Sequence, residues 1–172
     1  IIGKNNIPSL NYKIPSDISS AAFFIVLTAL SKNSSLKIKN VNINPSRMGV
    51  FFILKLMGIK ISKLNIKNYK GEKIADLIIN STNKIKPINC PTKFNSLAID
   101  EFLLIFLVAA KANGVSYFKN LSELNQKESP RLKWGSKILN KIGIKNILTK
   151  NSIKIFGNPN LKVNKKIIIK DF

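Results

Sequence analysis

The sequence predicts a mixed α/β (α+β) fold in which a β-α-β-α-β-β unit of about 80 residues occurs twice. Three observations support this prediction. Apolar segments of helical length alternate with short segments rich in Ile, Val and Tyr that are typical of strands. The segment KIKNV (37–41) returns as YFKNL (117–121), 80 positions later. The segment LKLMGIKI (54–61) returns as LNKIGIKN (139–146), 85 positions later.

The first unit covers residues 15–80. Its first helix begins with Asp and Ser and continues as an almost wholly apolar segment, so we expect it to be buried on most faces. The second helix has Pro45 near its start and Gly58 just past its end, the usual asymmetry of a capped helix. The expected order is helix, strand, helix, strand, strand, at 16–32, 34–41, 44–58, 59–66 and 74–80.

The second unit covers residues 85–157 and repeats this order after a polar joining loop, 80–96. Agreement in order, spacing and cap positions argues against a chance similarity between short apolar patterns. The segment KKIIIKDF (165–172) then resembles the opening strand of a third unit. The expected helices and strands of the second unit lie at 99–112, 114–121, 127–143, 146–149 and 152–157.

Composition excludes several classes of protein. Hydrophobic residues make up 45% of the 172 residues, which predicts a packed core. The longest apolar runs, 21–30 and 102–110, are shorter than the roughly 18–20 residues of a membrane span. The start also lacks the features of a secretory signal, so we expect a cytoplasmic protein without a membrane partner. Because Cys90 is the only cysteine and histidine is absent, we expect no disulfide, metal or cofactor.

The formal net charge of +21 raises the alternative of a basic nucleic-acid-binding module. However, the lysines are spread over helices, strands and loops, and Asn and Ile are over-used with them, as in proteins from AT-rich genomes. The sequence contains neither a basic strand with spaced aromatic residues nor a zinc knuckle. We therefore expect no nucleic-acid partner and favour small anionic substrates.

The segment KESPRLKW (127–134) brings charged residues to the start of a helix. Ser129 suits the N-cap, and Pro130 suits the first helical position. Arg131 follows in the first turn, where a cation opposes the helix dipole. Arg131 and Lys127 form a candidate anion site, and Glu128 could move protons on the bound anion. The alternative is a solvent-exposed helix start with an Arg–Glu surface pair.

Asp100 is the second candidate for proton transfer. It stands at the front of the apolar helix 99–112, where an acidic residue also complements the helix dipole, and Glu101 could serve equally well. Two similar settings occur in the first unit. Arg47 follows a proline at one helix start and Asp17 opens another, and we interpret both as capping and domain-contact residues.

The segments PSDISSAAFFIVLTAL, NPSRMG, AIDEFLL and SELNQKESPRL follow one another over essentially the whole chain. They resemble the 5-enolpyruvylshikimate-3-phosphate synthase (3-phosphoshikimate 1-carboxyvinyltransferase) family, whose bacterial pattern is close to PGDISSAAFF, NPTRTG, IDE and LRVKESDR. The resemblance implies the enolpyruvyl transferase inside-out barrel, with two domains of three repeat units each. It also implies transfer of an enolpyruvyl group from phosphoenolpyruvate to the 5-hydroxyl of shikimate 3-phosphate, with release of phosphate.

The resemblance implies that the chain is incomplete, as its start with Ile and its end inside a strand also suggest. Residues 1–14 would end the preceding domain at the crossover. Residues 15–172 would then form most of the second-half domain. We expect the fragment alone to be inactive and the full-length protein to be a monomer.

The resemblance also implies roles for single residues. Asp100 matches the aspartate that contacts the acceptor hydroxyl, and Lys127 matches a lysine that binds shikimate 3-phosphate. Glu128 matches the glutamate near the phosphoenolpyruvate methylene, and Arg131 matches the arginine that binds phosphoenolpyruvate. Glu123 lies in a region that contacts shikimate 3-phosphate in relatives.

The chain departs from the family pattern at several positions. Ser16 replaces a glycine whose conformational freedom could matter at the crossover. Asn125 and Gln126 replace an Arg-Val pair, and Pro130 replaces an aspartate, a loss that could free Arg131 from a charge partner. A related transferase that acts on a UDP-sugar is the closest alternative, although the KES-x-R pattern argues against it.

Overall fold

A computed structural model describes Gly3, Ser9 and residues 11–163, and the order α-β-α-β-β occurs twice within them. The segment 165–172, where we expect a third unit to open, lies outside the described residues, as does most of 1–10. The helices are α1 (Ile18–Leu30), α2 (Gly49–Leu56), α3 (Phe102–Ala110) and α4 (Arg131–Lys141). The strands are β1 (Ser35–Asn42), β2 (Lys60–Tyr69), β3 (Glu72–Asn80), β4 (Val115–Phe118), β5 (Asn146–Leu148) and β6 (Ile153–Phe156).

The two units form sheets of the same topology. The first sheet has the order β1-β3-β2 and the second has the order β4-β6-β5, and all pairs in them are antiparallel. The opening strand of each unit is reduced to one parallel bridge, between Ser16 and Val41 in the first unit and between Asn89 and Tyr117 in the second. The predicted β-α-β-α-β-β order is therefore confirmed, with a very short first strand.

Prolines explain why the opening strands are so short. Pro15 precedes the first bridge, and Pro87 and Pro91 flank the second. A proline has no N–H to donate to a strand ladder, so pairing cannot extend through these positions. Ser16 donates its own N–H to the carbonyl of Asn40 at 2.9 Å, in extended pairing that needs no glycine.

Backbone conformation confirms the sequence repeat. Asn40 and Asn120, which correspond at the offset of 80, have φ values of 52° and 57°. Positive φ is uncommon outside glycine, so its occurrence at both asparagines indicates the same local structure. Gly58 and Gly143 follow α2 and α4 with φ values of 85° and 84°, the left-handed conformation that often ends a helix.

One hydrophobic core includes both units, and α3 lies at its centre. This helix packs on α1, α2, α4 and β6. The rings of Phe102, Phe106 and Phe118 form a mutual contact, with centroids 5.2–6.1 Å apart. The predicted helix 99–112 is shortened at both ends, because residues 99–101 form a turn and α3 ends at Ala110. Two 3-10 turns, Thr92–Phe94 and Ser96–Ala98, precede that turn.

Gly49 sets the distance between α2 and the segment that leads into α3. A Cβ atom at Gly49 would lie 2.5 Å from the carbonyl carbon of Leu97 and 2.7 Å from the amide nitrogen of Ala98. Real Cβ atoms do not approach backbone this closely, so the contact requires glycine. The start of α2 therefore abuts the backbone just ahead of Asp100 and Glu101.

Asp76 stabilises irregular pairing in the first sheet. Asp76 is 7% exposed on the central strand β3, and its carboxylate accepts hydrogen bonds from the Asn40 amide N–H at 3.0 Å and the Asn65 side chain at 2.9 Å. Lys37 lies 2.9 Å away. Register shifts occur in β1 between Ile38 and Val41 and in β2 between Leu64 and Lys67, so one carboxylate serves both bulged strands.

Within residues 11–163, no helix combines the length and the apolar character that a membrane crossing needs.

Asp76→Asn is expected to destabilise the fold at neutral pH, because an amide cannot pair with Lys37. Hydrogen bonds from Lys37, Asn40 and Asn65 hold the pKa of Asp76 well below its ordinary value. A lowered folded pKa stabilises above the unfolded value of about 3.9, and this stabilisation disappears as the pH falls through the folded pKa.

The difference in urea midpoint between wild type and Asp76→Asn should therefore be constant near neutral pH and shrink below about pH 4. A difference unchanged under acid conditions would contradict this account. The control Lys37→Met keeps the bonds from Asn40 and Asn65 and is expected to lose less stability.

Candidate active site

Four of the predicted site residues meet in one ion-paired cluster. The guanidinium of Arg131 donates to Asp100 Oδ1 at 2.9 Å through Nη1 and to Glu128 Oε2 at 3.0 Å through Nη2. The Nζ of Lys127 lies 3.4 Å from the same Asp100 oxygen. The cluster thus joins the residues ahead of α3 to those ahead of α4, which are far apart in sequence.

Turns rather than helices carry most of this cluster. Asp100 lies in a turn two residues before α3 begins at Phe102, so it is not a residue of the helix's first turn. Lys127 and Glu128 lie in the loop before α4, and Arg131 is the first residue of α4. Short turns at two neighbouring helix starts therefore bring both signs of charge together.

The expected N-cap at Ser129 is wrong. Pro130 occupies the cap position with φ −73° and ψ 74°, and no side chain caps the helix. These angles, and the bond from the Arg131 N–H to the Ser129 carbonyl at 2.8 Å, describe an inverse γ-turn. The turn redirects the chain at Pro130, so the hydroxyl of Ser129 does not reach the first helical N–H groups.

Replacement of the family aspartate by Pro130 does not leave Arg131 without a charge partner. Asp100 and Glu128 both accept from its guanidinium. The expected release of Arg131 is therefore wrong, because side chains from two other positions occupy its donors.

Electrostatics favours the ionised form of both carboxyl groups in the cluster. Partial burial opposes ionisation of Asp100, but the hydrogen bond from Arg131 and the charge of Lys127 outweigh it and lower its pKa. The pKa of Glu128 is also lowered, first by its own backbone N–H and then by Arg131. The Glu128 side chain is 82% exposed and the Arg131 side chain 25%, so Glu128 is the freely solvated member.

Glu123 is separate from this cluster. It lies in the 3-10 turn Ser122–Asn125 and is exposed. Among the residues that the structure describes, no ion pair joins it to the other four candidates. Sequence reasoning therefore grouped five residues of which four are in contact.

A second cluster lies beside the first and was not predicted as a unit. Glu101, directly before α3, is 3% exposed. The Nη2 of Arg47 donates to Ser19 Oγ at 2.7 Å and lies 3.6 Å from Asp17 Oδ1. Asp17 also caps α1 by accepting from the Ser20 N–H at 2.8 Å, which confirms its capping role.

The burial of Glu101 is what sequence reasoning missed. Nothing local separates it from Asp100, but the structure places the two neighbours in opposite settings. Burial raises the pKa of Glu101 and the charge of Asp100 raises it further, while the Ser19 side chain lowers it in part. Its position directly before the wholly apolar Phe102–Ala110 was the available signal, since that helix is buried from its first residue.

The cluster combines groups suited to anion binding with groups suited to proton transfer. Lys127 and Arg131 supply positive charge and several N–H donors, and Asp100 and Glu128 supply carboxylates in direct contact with them. The lone Cys90 belongs elsewhere. It is buried in the core, and burial raises its pKa to about 11.

The fold is that of a solved enolpyruvyl transferase. The chain superposes on the enolpyruvyl transferase NikO from Streptomyces tendae with a TM-score of 0.58 over 83% of this chain and 30% of that one. At 15% identity this likeness concerns the fold alone. It shows that the two repeat units have the enolpyruvyl transferase architecture, as the sequence predicts.

The particular family follows from closer matches. The family model of EPSP synthase (3-phosphoshikimate 1-carboxyvinyltransferase) matches residues 1–168, so the chain belongs to that family. It is 41% identical over 157 residues to the 3-phosphoshikimate 1-carboxyvinyltransferase of Ruthia magnifica, covering 91% of this chain and 36% of that protein. The EPSP synthase structure from Acinetobacter baumannii superposes with a TM-score of 0.81 at 40% identity, over 84% of this chain and 32% of that one.

The chain thus spans about a third of the length of the relatives it matches.

Arg131→Gln in the full-length protein is expected to raise the pKa of Asp100 toward its ordinary value of about 3.9, because the main group that favours the carboxylate is lost. Titration of the Asp100 carboxyl carbon by NMR measures this. The control Lys137→Gln removes another cation from α4 and should leave the titration unchanged. An unshifted Asp100 in Arg131→Gln would mean that the ion pair does not form in solution.

Proposed function

We propose that the full-length protein transfers the enolpyruvyl group of phosphoenolpyruvate to the 5-hydroxyl of shikimate 3-phosphate and releases phosphate. The observation that carries this proposal is the cluster of Asp100, Lys127, Glu128 and Arg131 in a chain of the EPSP synthase family. Both substrates are anions, and both steps of such a transfer move protons. Cations and carboxylates in direct contact supply what that chemistry needs.

The first step forms a bond from the acceptor hydroxyl oxygen to the central carbon of phosphoenolpyruvate. The hydroxyl loses its proton, and we assign its acceptance to Asp100. The methylene carbon gains a proton, and we assign its donation to Glu128. The carbon–oxygen bond to phosphate then breaks in the tetrahedral intermediate, and the methyl carbon returns a proton to the Glu128 carboxylate, which restores the double bond.

The cations hold the two anionic substrates. We assign Arg131 to phosphoenolpyruvate, since a guanidinium can bind a carboxylate or phosphate with two N–H groups at once. We assign Lys127 to shikimate 3-phosphate, because its Nζ already lies against Asp100, the group assigned to the acceptor hydroxyl. Glu123, exposed and nearby in sequence, is a further candidate contact for shikimate 3-phosphate.

Proton donation by Glu128 requires a change in its pKa on substrate binding. In the free site, Arg131 helps to keep Glu128 ionised. When an anionic substrate binds Arg131, that stabilisation is shared, and the added negative charge favours the protonated form of Glu128. Binding of phosphoenolpyruvate thus prepares the acid that the reaction needs.

We also propose that residues 1–14 end a preceding domain and that 15–172 form most of the next one. An apolar face supports this. Phe23, Phe24 and Leu27 lie on one side of α1 and are 63%, 59% and 65% exposed. Exposed apolar patches of this kind usually mark an interface. We assign the rest of the full-length chain as the occupant, since this chain spans only about a third of its relatives.

Three further features belong to the same proposal. The fragment alone is inactive, because the remainder of the site lies on the rest of the full-length chain. The full-length protein is a monomer in the cytoplasm and works without a metal or an organic cofactor. Its partners are its two small-molecule substrates, and it has no nucleic-acid partner.

Glu128→Gln in the full-length protein is expected to lower kcat by about 100-fold or more, the usual contribution of a positioned acid or base. Phosphate release in the presence of both substrates measures it. The matched control Glu72→Gln, on β3, should retain wild-type turnover. Wild-type kcat in Glu128→Gln would remove the assigned role. Turnover of wild type only with a UDP-sugar acceptor would identify the related transferase instead.

Leu27→Lys in the full-length protein is expected to lower the free energy of unfolding by roughly 2–4 kcal/mol, because the substitution buries a charge and removes apolar packing. The control Ile147→Lys changes a similarly exposed residue on the short strand β5 and should shift the free energy of unfolding by only about 0.5 kcal/mol. Urea denaturation measures both. Equal, small effects would show that the α1 face stays open to solvent.

A further inference from the structure

The segment 11–16, which leads into α1, is fixed at its end by the edge strand β1. The N–H of Ser16 donates to the Asn40 carbonyl at 2.9 Å, and the Ser16 carbonyl accepts from the Asn42 N–H at 2.8 Å. The Ser16 hydroxyl also donates to the Lys39 carbonyl at 3.2 Å. These three bonds hold residue 16 against the first sheet.

The start of the same segment is held by a different element, the tip of the β2–β3 hairpin. The Tyr69 hydroxyl accepts from the Lys13 N–H at 3.1 Å, and the rings of Tyr12 and Tyr69 lie with their centroids 5.4 Å apart. The Nζ of Lys70 donates to the Asn11 carbonyl and lies 5.8 Å from the centroid of the Tyr12 ring. Three consecutive residues of the segment therefore contact two consecutive residues of the hairpin tip.

Between these two anchors the segment is poorly packed. Ile14 is 82% exposed. Ile14 and Pro15 both line each of two cavities, of about 420 and 290 Å³. The course of the segment therefore depends on its anchors at 11–13 and at 16 rather than on side-chain packing in between.

The requirements of the hairpin turn do not explain the lysine at position 70. Lys70 and Gly71 are the two residues that join β2 to β3, and both have positive φ, at 48° and 90°, as in a type I′ turn. Asn-Gly is the favoured pair in such a turn, because asparagine tolerates positive φ better than most residues. What a lysine adds at this position is a side chain long enough to reach the Asn11 carbonyl.

We propose that Tyr69 and Lys70 are positioning residues, which hold residues 11–16 against the first sheet and so set the course on which the chain enters from the preceding domain. The catalytic consequence rests on the proposed function, in which residues 1–14 end that domain and the remainder of the site lies outside this chain. The structural consequence does not, because it concerns only whether the hairpin holds the segment. A segment held in this way reduces the freedom that the two parts of the site lose when they bind the same substrates.

Tyr69→Ala in the full-length protein removes both the ring and the hydroxyl that hold the segment. Amide hydrogen exchange at Lys13, resolved to the single residue, is expected to become about 10-fold faster, since an aromatic pair and a hydrogen bond are each worth up to roughly that factor. The control Tyr117→Ala removes a tyrosine ring from β4 in the second sheet and should leave this exchange as in wild type. Unchanged exchange at Lys13 in Tyr69→Ala would overturn the inference.

Lys70→Asn separates the positioning role from a role within the hairpin. The substitution gives the turn its favoured Asn-Gly pair, so the midpoint of urea denaturation should stay the same or rise. It also removes the bond to the Asn11 carbonyl, so exchange at Lys13 should become about 3-fold faster. A purely structural role predicts exchange as slow as in wild type, and that result would overturn the inference. Because Lys70 is exposed, this variant decides the question if Tyr69→Ala does not fold.

Kinetics tests the catalytic half. Both variants are expected to raise KM for the two substrates by about 3- to 10-fold while kcat stays within about twofold, because the added freedom is lost once the substrates are bound. An unchanged KM, or a loss confined to kcat, would overturn this half of the inference. If wild type itself does not turn over the two substrates, the proposed function fails, while exchange at Lys13 still decides whether the hairpin holds the segment.

Discussion

The burial of α3 is the constraint on which the rest of the structure depends. Every residue from Phe102 to Ala110 is apolar, so the helix has no face suited to water. It must be largely covered, and α1, α2, α4 and β6 pack against it. Two repeat units that could each form a small sheet-and-helix layer are thereby joined into one core. The polar residues that precede α3 are carried to the junction between them.

The acidic residues at this junction belong to a strongly basic chain. Only 8 acidic residues stand against 29 basic ones, and the ion pairs among the described residues use Asp17, Asp76, Asp100 and Glu128. Scarce carboxylates are thus held at positions where structure or chemistry needs them. The excess of lysines leaves a positive field that attracts anions, which suits the phosphate- and carboxylate-bearing substrates of the proposed function.

Much of the fold could be predicted because it depends on local patterns. The repeat, the helix-ending Gly58 and Gly143 and the alternation of helices and strands follow from periodicity and turn residues. The shortened opening strands and the bulges around Asp76 could not be predicted, since each depends on which strand lies alongside. The sequence also did not predict the 3-10 turns before α3, because an apolar segment alone does not show at which residue the helix begins.

The candidate site was likewise predictable in part from the sequence. The motif residues Asp100, Lys127, Glu128 and Arg131 were identified from the chain and meet in space. Their pairing was not predictable, because the γ-turn at Pro130 directs Arg131 toward a residue 31 positions earlier. The burial of Glu101 also depends on how the two repeat units pack around the start of α3, which the local sequence does not show.

Two carboxylates neutralise Arg131 in the free site, and an anionic substrate can replace one of them. A cation in the first turn of a helix is unfavourable by roughly 0.3–1 kcal/mol, and here two carboxylates offset it. Of the two, Asp100 is also held by Lys127, whereas Glu128 is mostly exposed and accepts from Arg131 alone among the described cations. On the proposed function, an incoming phosphoenolpyruvate therefore displaces Glu128 more easily than Asp100. The arrangement keeps the base in place and releases the acid, so the order of contacts in the free site already separates the two proton-transfer roles.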